Sequence, residues 1–319
     1  MNIVVLEQKS IGDDIDLSIY RDFGDVTYYD NTLDDQIADR IKDAEVVIVN
    51  KGAMNESTLK NAEKVKLICL FATGYDNVDL EYCKSRGIAV ANVVDYCTAA
   101  VAQHTFAMAL YLLERLPFYD NYVKSGTYGA QERFSNFDKP FLELEGKTWG
   151  IIGLGNIGKK AAKIAEGFGC HVIYYSVTGR NNSGEYERVE FDDLLKRSDF
   201  ISIHCPLSDL TRNLIDFEAM KKMKKTALLL NVARGPVVNN QDLYKALMEG
   251  EIYGAGLDVL EQEPIQPDNP LGTIKDSEKL IITPHMSWAS TEARTRLSIE
   301  VYKNIEAFIN GEKRNVVNL

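Results

Sequence analysis

Residues 149–158 read WGIIGLGNIG, a short apolar run that ends in Gly-x-Gly-x-x-Gly. The segment that follows, NIGKKAAKIAEGFG, has apolar residues at helical spacing. Few folds accept a strand that passes through three glycines straight into a helix. Gly153 permits the tight turn, Gly155 lets the backbone approach a pyrophosphate, and Gly158 lets the helix pack on the strand. Asn156 and Ile157 fall on the helix start, where unbonded N–H groups and a partial positive charge favour an anion. This stretch predicts a parallel α/β sheet that holds a dinucleotide at its carboxyl edge.

The rest of the chain carries the same alternation twice. Short apolar or β-branched runs, NIVVL (2–6), VTYYD (26–30), EVVIVN (45–50), KLICLFA (66–72) and IAVANV (88–93), alternate with polar segments of helical spacing. Such alternation implies βαβ units. A long apolar stretch, TAAVAQHTFAMALYLLERL (98–116), reads as a buried helix leading out of this first unit. After an aromatic and polar segment the pattern resumes with strand candidates at 148–155, 170–176, 199–207, 227–233, 251–260 and 279–285. The stretch 290–311 is one amphipathic helix, long enough to return to the first unit. The expected architecture is two doubly wound parallel-sheet domains. A Rossmann cofactor domain, 99–287, is inserted into a flavodoxin-like substrate domain built from 1–98 and 288–319.

The formal charge of -11 argues against nucleic acid and acidic membranes as partners, since both need basic patches. A small anionic substrate would have to be attracted by local Arg or Lys groups against that field. The five cysteines are scattered without metal-ligand spacing, so no metal is expected and the thiols fit a reducing compartment. No apolar run approaches the ~18–20 residues of a membrane span, and the N-terminus does not read as a signal peptide. A cytoplasmic location is the expectation.

The second strand of a dinucleotide fold should end about 20 residues after the first glycine in an acid that binds both ribose hydroxyls. That point falls near Ser176, and from His171 to Gly184 the chain has no Asp or Glu. Ser176, Thr178 and Arg180 stand there instead, removing repulsion from a 2′-phosphate and offering hydroxyls and a cation. Two readings remain open: an NADP site, which is favoured, or a relaxed NAD site in which Ser176 meets the ribose.

The blocks ATGYDNVDL (72–80), VAQHTFAMALYLLER (101–115), GKTWGIIGLGNIG (146–158), HCPLSDLTRNLI (204–215), NVARGPVVN (231–239), GLDVLEQEP (256–264) and TPHMSWASTEAR (283–294) resemble, in order and spacing, those of the D-2-hydroxyacid dehydrogenase family. PHMSWASTEAR and VNKG (49–52) are most similar to its glycerate dehydrogenase, or hydroxypyruvate reductase, branch. The resemblance implies NAD(P)H-dependent reduction of a small 2-keto acid, hydroxypyruvate or glyoxylate, to the D-2-hydroxy acid. Reduction of bulkier keto acids such as phenylpyruvate is the alternative. A dinucleotide-sensing corepressor is the non-enzymatic one, disfavoured because the chain stops at NVVNL without an appended tail; the same ending disfavours phosphoglycerate dehydrogenase, which carries a regulatory domain.

The residues make chemical sense in these roles. Arg234 follows the apolar strand ALLLNVA, at a carboxyl end where such sheets bind ligands, and can grip a carboxylate with two hydrogen bonds. Of the four histidines, His285 follows LIITP at another carboxyl end and is the best general acid, whereas His104 reads as a hydrogen-bonded core residue. A carboxylate at Glu263 would favour the protonated imidazole. The resemblance assigns the catalytic roles to Arg234, Glu263 and His285. It also implies cofactor contacts from His204, Cys205, Pro206, Thr211, Val232, Ala233 and Asp258, the last at the nicotinamide amide. Lys51, Thr73 and Gly74, with Arg234 and His285, are implied to bind the substrate. Gln103 stands where the family usually has Glu, and Tyr128 and Phe137 where relatives often have Trp. The long helix and the aromatic arm after it are implied to bury apolar surface in a homodimer.

Overall fold

A computed structural model describes residues 1–318. The chain divides into two compact units, residues 1–97 with 288–319 and residues 98–287. In the first, strands β1 (Asn2–Val5), β2 (Asp25–Tyr28), β3 (Val46–Val49), β4 (Leu67–Leu70) and β5 (Ala89–Ala91) form one sheet of order β2-β1-β3-β4-β5. All neighbours pair in parallel. β3, β4 and β5 are buried along their whole length, as expected for parallel strands covered on both faces. β2 is half exposed, the pattern of an edge strand. Helices α1 (Asp34–Ile41), α2 (Glu56–Leu59) and α3 (Leu80–Ser85) connect the strands.

The second unit opens with α4 (Thr98–Glu114), which stops where Arg115 takes the left-handed φ of 52°. A second helix, α5 (Leu116–Lys124), follows, with Pro117 in its first turn, where a missing N–H costs no intrahelical bond. The aromatic sequence had not marked that helix. The sheet contains β6 (Thr148–Ile152), β7 (His171–Tyr175), β8 (Glu187–Arg188), β9 (Phe200–Ile203), β10 (Leu228–Asn231), β11 (Gly254–Leu257) and β12 (Leu280–Ile282). Their order is β12-β11-β10-β9-β6-β7-β8, again all parallel. Helices α6 (Asn156–Gly167), α7 (Phe191–Arg197), α8 (Phe217–Lys222) and α9 (Asn240–Glu249) make the crossovers.

Trp149 anchors this core, fully buried between the rings of Phe106 and Phe200 at centroid distances of 4.4 and 5.0 Å. Its indole N–H donates to Ser202 Oγ at 2.8 Å, satisfying the one polar atom such a residue brings inside. Around it, each fully buried Leu or Ile contributes about 1.5–3 kcal/mol. The strand order reverses at β6, with β7 on one side and β9 on the other. A crevice at that switch, beyond the carboxyl ends, is where open parallel sheets take ligands.

The last helix, α10 (Thr291–Ile309), belongs to the first unit, and Tyr20 Oη donates to the Ser298 carbonyl on it at 3.2 Å. No helix among the described residues is long and apolar enough to cross a membrane.

Candidate active site

β6 ends at Ile152 and α6 begins at Asn156, so the glycine loop is the whole connection. Gly153 has φ 93°, and a Cβ on it would lie 2.8 Å from the Cys205 backbone nitrogen. A Cβ on Gly158 would overlap the Gly153 carbonyl oxygen, while the same atom on Gly155 would meet open space. Two glycines are thus required by packing. The third leaves a bare approach to the start of α6, which suits a pyrophosphate.

β7 ends at Tyr175, and the Gly179 N–H closes the following turn on the Ser176 carbonyl at 3.0 Å. Ser176 is buried, and its Oγ accepts the Asn181 N–H at 3.2 Å. Asn181 also donates to the Leu154 carbonyl, tying this turn to the phosphate loop. Thr178 Oγ1 lies 3.5 Å from the Arg180 nitrogen, and Arg180 is exposed. Across the switch, the His204 N–H donates to the Ile152 carbonyl at 2.8 Å, and Cys205 packs against Gly153. His204 Nε2 sits 3.0 Å from Ser202 Oγ, whereas Nδ1 is buried without a hydrogen-bond partner among the described residues. Burial pushes the His204 pKa down to about 3 and the Cys205 thiol up to about 11. Thr211 is buried and donates to the Pro206 carbonyl at 2.8 Å, so its hydroxyl shapes the 206–211 loop.

The turn after β10 is organised by a residue the sequence reading missed. Asn231 is fully buried; its Oδ1 accepts the Ala233 N–H at 3.1 Å and its Nδ2 donates to the Arg234 carbonyl at 3.0 Å. Val232 is buried within this turn, and Arg234 Nη1 donates to the Ala233 carbonyl at 2.9 Å. A Cβ at Gly235 would overlap the Leu260 carbonyl, so the turn bearing Arg234 is pressed against the loop after β11. An Asn that ends an otherwise apolar strand was the available signal.

That loop carries Glu263. Its Oε1 accepts the Leu260 N–H at 2.9 Å, and its Oε2 lies 2.6 Å from His285 Nδ1. His285 and Glu263 therefore meet although 22 residues separate them. The pair is half-open, with side-chain exposures of 25% and 34%. His285 adopts φ 52°, a left-handed conformation uncommon outside glycine. It is held there by its own N–H, which donates to the Asp258 and Thr283 carbonyls at 2.8 and 2.9 Å.

Asp258 is buried, and its carboxylate grips the rest of the segment. Oδ1 accepts from Thr283 Oγ1 at 2.6 Å and from the Met286 N–H at 2.8 Å, and Oδ2 accepts from the Ser287 N–H at 2.8 Å. His104 Nε2 is 2.9 Å from Thr283 Oγ1, so the helix histidine read as core joins this network. The arrangement presents an imidazole backed by a carboxylate at Nδ1.

The other three candidates lie in the first unit. The N–H groups of Asn50 and Lys51 both donate to Glu7 Oε2, at 2.7 and 3.0 Å, fixing the turn after β3. Thr73 Oγ1 donates to the Val93 carbonyl at 2.7 Å, and Asn92 Nδ2 to the Thr73 carbonyl at 2.7 Å, so the Thr73–Gly74 turn is braced by the segment that follows β5.

The D-isomer specific 2-hydroxyacid dehydrogenase NAD binding domain profile matches residues 106–287. A hydroxypyruvate reductase of Blautia hydrogenotrophica is 38% identical over 325 residues, covering 100% of both chains. A glycerate dehydrogenase of Methylorubrum extorquens is 39% identical over 89% of this chain and 88% of its own. The crystal structure of D-lactate dehydrogenase from Aquifex aeolicus, complexed with NAD and lactic acid, aligns with a TM-score of 0.85. It is 30% identical and covers 98% of this chain and 96% of its own.

Proposed function

The chain belongs to the D-isomer specific 2-hydroxyacid dehydrogenase family, and from that premise we propose that it reduces hydroxypyruvate or glyoxylate to the D-2-hydroxy acid, preferring NADPH to NADH. The observation that carries this reading is the 2.6 Å contact of His285 with Glu263 in a segment fixed by a buried carboxylate. Such a pair suits a proton-coupled interconversion of ketone and alcohol.

Arg234 binds the substrate carboxylate with its guanidinium and polarises the adjacent ketone. Lys51, Thr73 and Gly74 are proposed to assist with that carboxylate. His285 gives its Nε2 proton to the ketone oxygen, while Glu263 steadies the ring through Nδ1 and balances its charge. When bound, the dihydronicotinamide supplies the hydride that reaches the keto carbon. Gly153, Gly155, Asn156, Ile157 and Gly158 would hold the pyrophosphate. His204, Cys205, Pro206, Thr211, Val232 and Ala233 would line the dinucleotide, and Asp258 would keep one lone-pair direction of Oδ2 for the nicotinamide amide. Ser176 orders the turn in which Thr178 and Arg180 face the 2′-phosphate.

A homodimer completes the proposal. Leu116, Val123, Phe134, Phe137, Phe141 and Leu142, all in α5 and the arm after it, are exposed by half or more, an apolar concentration that soluble monomers avoid. Gel filtration at twice 35.8 kDa is expected, and a particle of a single chain mass refutes it.

Initial rates with hydroxypyruvate, glyoxylate and phenylpyruvate, each with NADPH and NADH at matched sub-saturating concentrations, test the whole reading. Fastest turnover of the two small acids with NADPH is expected. Preference for phenylpyruvate overturns the substrate assignment, preference for NADH the cofactor assignment, and tight cofactor binding without turnover the enzymatic one.

A further inference from the structure

The acid-free turn after β7 has a second guanidinium beside it. Glu187 and Arg188 form β8, in register with Ile173 and Tyr174 of β7. Successive strand residues face opposite sides of a sheet. Glu187 is taken up on its side by Arg197 through two contacts of 2.7 Å. Arg188 goes to the turn instead: its Nη1 donates to the Gly179 carbonyl at 3.1 Å, and its Nη2 lies 3.5 Å from where a Cβ on Gly179 would stand. Gly179 has φ 71°, so the guanidinium covers a position that already favours glycine.

Arg188 therefore lies over the turn that contains Thr178 and Arg180. A guanidinium carries five N–H donors, and the Gly179 contact occupies one. Neither arginine forms an ion pair with a carboxylate among the described residues. In a chain of net charge -11, two cations stand at one turn with no acid between 171 and 184. The carbonyl contact also holds Arg188 in place before any ligand arrives, which lowers the entropy lost on binding.

We propose that Arg188 is the second cation of a 2′-phosphate subsite, clamping with Arg180 the phosphate monoester on the adenosine ribose. This deepens the NADPH reading and rests on it. Planar, always-charged guanidiniums suit a dianionic phosphate better than ammonium groups do, because each offers paired donors. Arg180 reaches the phosphate from within the turn and Arg188 from the edge strand beside it.

Calorimetric titration of the full chain with adenosine 2′,5′-bisphosphate and with 5′-AMP needs no turnover. The proteins compared are wild type, Arg180→Ala, Arg188→Ala and Arg188→Lys. Tighter binding of the bisphosphate by wild type is expected. Each alanine variant should lose about ten- to a hundredfold on the bisphosphate, the range for hydrogen bonds to a charged group, and little on 5′-AMP. Arg188→Lys should recover part of the loss. If Arg188→Ala binds the bisphosphate like wild type while Arg180→Ala does not, the role of Arg188 falls and the NADPH reading stands. If wild type binds both nucleotides equally, both fall. Equal loss on both nucleotides in Arg188→Ala makes the arginine a brace of the turn and overturns the proposal.

Discussion

Replacing Glu263 by Gln tests the acid with almost no change of shape. In the native loop Oε1 accepts the Leu260 N–H and Oε2 meets His285 Nδ1. A glutamine has one acceptor oxygen and one donor nitrogen. The Leu260 N–H holds the oxygen, so the amide nitrogen turns toward Nδ1. Whenever the imidazole is protonated, two donors then face each other and the ring has lost its counter-charge. At the observed 2.6 Å, unit charges attract by about 1.6 kcal/mol even in the dielectric of water. Hydrogen bonds to charged partners contribute about 1.5–3 kcal/mol. With both groups a quarter to a third exposed, the lower half of that range applies, about 1.5–2 kcal/mol or a ten- to thirtyfold change. Reduction of the keto acid needs the protonated ring, so its kcat should fall by that factor. Oxidation of the hydroxy acid needs the neutral ring as base and should lose less. Initial rates in both directions with saturating cofactor measure this, and an unchanged cofactor Kd separates it from damage to the dinucleotide site. Wild-type kcat for reduction, or one loss shared equally by both directions, refutes the reasoning.

Two further outcomes follow from the buried groups. Thr283→Val keeps the shape but removes the hydroxyl between His104 and Asp258; it should cost about 1–3 kcal/mol in urea unfolding and lower kcat more than it raises KM, because the segment bearing His285 loses a tie. A change within about 0.5 kcal/mol, the size of an ordinary surface substitution, rules out that tie. His204, held neutral in the fold with its pKa near 3, takes up a proton on unfolding below its ordinary value of about 6.5, so its share of stability is present above that pH and lost as pH falls toward 3. Between neutrality and about pH 5 the wild type should therefore lose about 2 kcal/mol more than His204→Gln does; parallel pH profiles contradict the burial argument.

How much was legible in the sequence depends on the range of the interaction. The buried strands declared themselves because β3 and β4 are apolar throughout and β9 and β10 carry one polar residue each, and the glycine loop because its geometry is local. β8 did not: two exposed charged residues on an edge have no pattern to show, and Arg188 finds its turn only through pairing with β7. α5 was hidden because none of its residues is buried, so it shows no clean apolar stripe. In the site, residue types predicted what could happen, and His285 and Glu263 were chosen on chemistry and resemblance. Their supports escaped notice because Asn231, Thr283 and His104 act through contacts that only the fold creates. Asp258, expected at the nicotinamide, spends most of its carboxylate on the segment 283–287.

The left-handed backbone of His285 sets stability against retention of the residue. A side chain in that conformation costs about 1–2 kcal/mol relative to glycine, and a half-exposed contact with Glu263 returns a comparable amount at most. Replacement by glycine is therefore close to neutral for folding, and drift of codon 285 toward glycine meets little resistance from the fold. Only selection on turnover can keep a histidine there. A lineage released from that selection would be expected to lose this residue early while keeping its buried sheet, its glycine loop and its capacity to bind a dinucleotide.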